Sequence, residues 1–149
     1  MPWRVRSYRS RDARQCRDME ARVFGDAQVP WRHLRSIAGR QRYKAFVIRT
    51  EKDHRVVAVA VLDNRRDDPR YSRGWIALDT LMRDPSPDYE QASLGRRLLV
   101  HVQRKVLEEP VKTSLYCRVK PNQPRLVQWY QARGFTVDSD DTTLLTWNE

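Results

Sequence analysis

The sequence predicts an α+β fold, a sheet with helices packed on its faces. Three observations carry that prediction. Val56-Val57-Ala58-Val59-Ala60-Val61-Leu62 is apolar at every position, as in a strand covered on both sides. Leu94, Leu98, Val102 and Val106 recur every four residues and mark the buried face of a helix. The periodic segments follow the order β-α-α-β-β-β-α-β-α-β-β, too mixed for an all-α or all-β domain.

Each element has its own reason. Trp3 to Arg9 sets Trp3, Val5 and Ser7 against Arg4, Arg6 and Tyr8, a half-buried strand pattern. Asp12 is placed to cap a helix in which Ala13, Cys16, Met19 and Val23 share a face, and Gly25 ends it. Pro30 suits the first turn of a second short helix, with Trp31, Leu34, Ile37 and Ala38 on one side and Gly39 closing it. Tyr43 to Thr50 and Arg55 to Asp63 flank the polar turn Glu51-Lys52-Asp53-His54, a link short enough to force an antiparallel hairpin. A charged loop from Asn64 leads to the strand Arg73–Arg83, in which Asp79 interrupts an otherwise apolar run. Buried and unpaired, that carboxylate would be costly. After the long helix, Pro110 breaks the pattern and Val111 to Val119 gives a further strand. Pro124 opens a last helix with Leu126, Val127 and Tyr130 facing inward and Gly134 just past its end. Phe135 to Val137 and Thr142 to Trp147 close the chain as a hairpin.

Composition sets the outer limits. One domain over residues 1–149 is the simplest organisation, and that length can bury a core without staples. The net charge of +10, carried mostly by arginine, favours acidic partners: nucleic acid, a phosphorylated cofactor or an anionic protein. Seven arginines fall between Arg4 and Arg22, but Asp12, Asp18 and Glu20 interrupt them, so the segment is not a pure basic arm. Cys16 and Cys117 make neither a disulfide framework nor a metal site, and His33, His54 and His101 lack ligand spacing, so no metal is expected. Cys117 reads as a small core residue rather than a nucleophile. The opening MPWRVRSYRSRD has no apolar core after its charges, and no apolar run could cross a bilayer. A cytoplasmic enzyme or binding domain, monomeric or homodimeric and without a membrane partner, is the expectation.

The most informative stretch is Asp84–Glu109. A polar, proline-bearing loop meets the small-residue turn Ala92-Ser93-Leu94-Gly95, which opens the long helix. Small residues there leave the first backbone N–H groups unobstructed, and the positive end of the helix dipole adds to them, a ready site for phosphate. Arg96 and Arg97 sit in the first turn, where arginine opposes the dipole, which suggests an anionic ligand; a solvated helix face explains them too.

The turn reads Pro87-Asp88-Tyr89-Glu90-Gln91-Ala92-Ser93-Leu94-Gly95, and downstream come Asn122 and Tyr130-Gln131-Ala132-Arg133-Gly134-Phe135. In this element order, the two stretches resemble the GCN5-related N-acetyltransferase (GNAT) family across essentially the whole chain. The first lies on the family's P-x-x-R/Q-x-x-G-x-G/A signature, with Glu90 in place of Arg or Gln and Ser93 in place of the first Gly. The second fits its Tyr-x-x-x-Gly-Phe, with Asn122 further from the tyrosine than in the family.

The resemblance implies a mixed, mostly antiparallel central sheet flanked by about four helices, the acyl-CoA N-acyltransferase fold. It implies transfer of an acetyl or other acyl group from acetyl-CoA to a primary amine, without a metal. Gln91, Ala92, Ser93, Leu94, Gly95 and Arg96 would cradle the cofactor's pyrophosphate. Backbone groups of Leu81, Met82 and Arg83 would hold its pantetheine arm, and Asn122 would assist. Asp79 would serve as base, directly or through water, unless it is a surface carboxylate; by strand alternation Leu81 and Arg83 should share its side. Tyr130 would donate to the departing thiolate as well as packing in the core. Arginines 32, 35, 40, 42, 65, 66, 70 and 73, in the segments that would shape the acceptor site, point to an acidic or nucleic-acid-linked amine. The departures at Glu90 and Ser93 keep a second reading open: a chain that retains the fold, has lost the chemistry and binds an acidic partner or nucleic acid.

Overall fold

The computed structural model describes residues 3–31, 43–64, 75–108 and 114–148. Seven strands form one sheet: β1 (Val5–Ser7), β2 (Tyr43–Arg49), β3 (Val56–Asp63), β4 (Trp75–Arg83), β5 (Ser114–Arg118), β6 (Thr136–Val137) and β7 (Leu144–Asn148). Their order across the sheet is β1-β2-β3-β4-β5-β7-β6. Three α-helices lie among the described residues: α1 (Ala13–Phe24), α2 (Leu94–Leu107) and α3 (Pro124–Gln131). Every neighbouring pair is antiparallel except β4–β5, which is parallel because α2 carries the chain back across the sheet. This is the mixed, mostly antiparallel sheet expected from the sequence.

The apolar run in β3 explains the layering. Val57, Ala58, Ala60 and Leu62 join the layer built on Leu94, Leu98, Leu99, Val102 and Val106 of α2. Val56, Val59 and Val61 join the opposite layer, with Cys16 and Met19 of α1 and with Trp31. All eight residues of β3 are buried. Each fully buried valine or leucine contributes about 1.5–3 kcal/mol relative to exposure, so a polar substitution in β3 damages the core whichever way it faces.

Several local expectations need correction. The inward face of α1 holds Cys16, Met19 and Glu20, while Val23 is exposed. Glu20 tolerates burial because its Oε1 accepts from the indole Nε1 of Trp31 (2.9 Å) and the backbone N–H groups of Gln28 (3.1 Å) and Val29 (3.2 Å). Asp12 stands just before α1 without capping it. Its side chain accepts from the Arg9 N–H (2.8 Å) and from the Arg49 guanidinium, with which it forms a buried ion pair. Leu126 of α3 is exposed rather than inward. The second short helix falls, from residue 32 onward, outside the described residues, as do the charged loop at 65–74 and the expected strand start at 111–113.

Candidate active site

The site begins where two strands part. β5 pairs with β4 only through Trp75, Ile76 and Ala77, opposite Ser114, Leu115 and Tyr116. Beyond Ala77 no strand among the described residues pairs with the edge of β4 facing β5. On the other edge, the Asp84 N–H donates to the Val57 carbonyl (2.7 Å), which fixes the alternation. Residues 84, 82 and 80 direct their backbone groups to β3, so Leu81 and Arg83 direct theirs into the opening. Leu81 and Arg83, two of the three residues expected to hold a pantetheine arm, therefore direct their backbone groups into the opening. Met82 does not: its amide points to β3, and its side chain is buried in the α1 layer.

A β-bulge next to the opening changes the parity. Val61 pairs with Thr80 but Leu62 pairs with Leu78, which leaves Asp79 as the extra residue of β4. The bulge overturns the expected shared side. Leu81 packs against the α2 layer, whereas Asp79 is exposed beside Thr80, whose hydroxyl donates to Asp79 Oδ2 (3.1 Å). An exposed position also removes the desolvation cost that made this carboxylate conspicuous in the sequence.

Asp79, Leu81 and Tyr130 line one cleft of about 290 Å³ between α1, β4, β5 and α3. Glu20 and Asp26 line its α1 side, and Cys117 and Lys120 its β5 side. The cleft thus brings both candidate catalytic residues together, and its lining holds three carboxylates, Glu20, Asp26 and Asp79, and two cations, Arg118 and Lys120. Sequence reasoning missed Glu20, whose burial rests on contacts beyond the end of α1.

Tyr130 is buried, its ring in edge contact with Trp129 and Phe135 at centroid distances of 5.0 and 5.1 Å. Its phenol lies beside the Cys117 thiol, which lines the same cleft. Burial pushes the phenol well above its ordinary value of 10.0, with the neighbouring thiol adding to the shift. Burial likewise pushes the Cys117 thiol up to about 12, so it carries no nucleophilic thiolate at neutral pH.

The second part of the site is the entrance to α2. Pro87–Ala92, which includes Gln91 and Ala92, forms a 3-10 turn, and Ser93 takes a left-handed backbone at φ 53°. The Arg97 N–H donates to the Ser93 carbonyl (3.0 Å), the first bond of the helix. The N–H groups of Leu94, Gly95 and Arg96 precede that bond and lack helical acceptors. The Leu94 side chain is buried in the core, and Arg96 is exposed. Arg97 turns away from the entrance, its guanidinium donating to the Trp3 carbonyl. Gly95 has a packing reason of its own: a Cβ there would lie 3.5 Å from the Trp129 ring of α3. Asn122 is exposed in the loop before α3, also left-handed at φ 65°.

A sheet that opens between two parallel strands beside a tight turn entering a helix defines a class. The chain has the GNAT acetyltransferase fold, and solved structures bear this out. It superposes on the ribosomal-protein-S18-alanine N-acetyltransferase of Escherichia coli with a TM-score of 0.71 and 18% identity, covering 98% of this chain and 93% of that one. PaiA N-acetyltransferase from Thermoplasma acidophilum, in complex with coenzyme A, gives 0.72 at 13% identity over 100% of both chains. NAA60 of Arabidopsis thaliana, bound to a bisubstrate analogue, gives 0.77 at 9% identity, covering 98% of this chain and 97% of that one. No family model matches the sequence, and no curated protein does. At these identities the likeness is one of fold.

Proposed function

We propose that the chain is an acyl-CoA-dependent N-acetyltransferase that moves an acetyl group from acetyl-CoA to a primary amine. The observation that carries this reading is the meeting of Asp79 and Tyr130 in the cleft beside the open edge of β4. A neighbour of the same fold binds coenzyme A, which supports acetyl-CoA as the co-substrate. The residues here fit such a cofactor. Leu81 and Arg83 offer backbone donors along the opening, and the amides of Leu94, Gly95 and Arg96 offer an anion cradle at the positive end of a 14-residue helix. When bound, the cofactor supplies an acetyl group activated as a thioester.

The remaining chemistry falls to side chains of the cleft. An amine near its reference pKa of about 10.4 arrives as an ammonium ion, and the Glu20, Asp26 and Asp79 carboxylates of the lining can receive it beside Arg118 and Lys120. Glu20 is anchored through Oε1, and among the described residues no donor reaches its Oε2. Asp79, at the bulge, is the carboxylate best placed to take the amine's proton through water. Tyr130 keeps its own proton: its phenol lies above its ordinary value, and a thiol's reference is about 8.5. Full transfer to a departing thiolate is then uphill, and Tyr130 acts by hydrogen bonding to the developing charge. These carboxylates support an acceptor that presents a cationic amine. An acidic or nucleic-acid-linked body must lie outside the cleft.

The first test is thermal. Acetyl-CoA at a hundredfold excess over its Kd should stabilise the fold by about 2.7 kcal/mol, roughly 5–10 °C in Tm. No shift at millimolar acetyl-CoA counts against the proposal and favours a chain that keeps the fold without the chemistry. Thiol release from acetyl-CoA across a panel of amines then identifies the acceptor.

A further inference from the structure

Asp12, Asp18 and Glu20 break up the arginines of the first 22 residues in sequence. The fold removes two of these three acids from the surface. Asp12 is buried against Arg49, and Glu20 is buried behind Trp31 at the cleft. Arg4, Arg6, Arg9, Arg11, Arg14 and Arg17 are all exposed, and none makes an ion pair among the described residues. They line two adjoining grooves. One, of about 680 Å³, runs along β1 past Arg4, Arg6, Arg9 and Arg11. The other, of about 420 Å³, runs along the start of α1 past Arg11, Arg14 and Arg17. Arg11 belongs to both, so the track is continuous. Among the described residues Glu51 is the one carboxylate in the first lining, and the second has none.

We infer that this arginine track binds the phosphate backbone of double-stranded nucleic acid. The rest of the lining decides between polyanions. Ser7, Ser10, Thr50 and His54 supply further donors of the kind that meet phosphate oxygens. Among the described residues no Phe, Tyr or Trp lines either groove to stack the bases of a single strand. Among them Val5 and Ala13 are the only apolar lining residues, too little for the buried anchor an acidic protein partner needs. The surface reads charge spacing rather than sequence. It lies outside the acetyl-transfer cleft, shares no lining residue with it and does not depend on that activity.

The test is fluorescence anisotropy of the full chain with a 20-base-pair RNA duplex, the matching DNA duplex, a single strand and poly-glutamate, between 50 and 200 mM salt. Six phosphate contacts give a slope of log K against log salt of about −5, hence a loss of about a thousandfold across that range. Arg6→Gln with Arg14→Gln should flatten the slope by about 2, while Arg104→Gln with Arg125→Gln, an equal loss of charge elsewhere, leaves it unchanged. Circular dichroism melts confirm that both pairs fold. The RNA and DNA arms distinguish the source of the duplex. A slope shallower than −2, a single strand or poly-glutamate bound as tightly as duplex, or equal losses in both variant pairs overturns the inference.

Discussion

Ser93 holds a left-handed backbone that an L-residue adopts at a cost of roughly 1–2 kcal/mol and that glycine takes without strain. Ser93→Gly should therefore raise Tm by about 2–4 °C in a thermal melt, whatever it does to the cofactor. At Tyr130 the expectation is kinetic. Tyr130→Phe keeps the ring contacts and removes the hydroxyl, so kcat should fall by about 10- to 100-fold with the KM for acetyl-CoA little changed. Equal turnover removes the residue from the reaction. Tyr130 was legible because a short motif, Tyr130-x-x-x-Gly134-Phe135, carries it. Glu20 was not. Its burial depends on Trp31 and on two backbone donors beyond the end of α1, contacts that helical periodicity does not encode.

Among the elements, β4 shows where sequence reasoning stops. Its extent was plain from an apolar run, but the bulge at Asp79 depends on how β3 and β4 register, which a single strand's pattern does not show. The bulge breaks the alternation that would set Asp79 and Leu81 on one face, although both line the cleft. The backbone alternation yields an exchange experiment. Amide hydrogens of Thr80 and Met82, directed to β3, should exchange slowly, and those of Leu81 and Arg83 fast until acetyl-CoA slows them. Uniform protection along the strand contradicts an open edge. At the entrance to α2, Gly95 was read as clearing the way for phosphate, whereas the structure places the Trp129 ring against it. Gly95→Ala fits at 3.5 Å, but Gly95→Leu displaces that ring; the melt should drop by several degrees even without cofactor.

For the whole molecule, alkaline pH is the sensitive axis. Burial is the largest cause of the raised pKa at Tyr8, Cys16, Cys117 and Tyr130. A group raised on folding contributes its stability in full below its unfolded pKa and loses it as pH climbs toward the folded one. For Cys117 that window runs from 9.0 to about 12. Denaturant unfolding should weaken through it by up to about 1.4 kcal/mol per pH unit, and Cys117→Val should remove that share. The mixed sheet and its helices were legible because β3 and α2 carry unambiguous periodicities. The acceptor side rests on loops at 32–42 and 65–73, which lie outside the described residues, while the described lining of the cleft mixes carboxylates with Arg118 and Lys120. β3 also ties the two hydrophobic layers to one backbone, with Val57, Ala58, Ala60 and Leu62 in one and Val56, Val59 and Val61 in the other. Neither layer can melt while the other stands. Heating should give a single calorimetric peak whose van't Hoff and measured enthalpies agree, with no half-folded species for a protease to find.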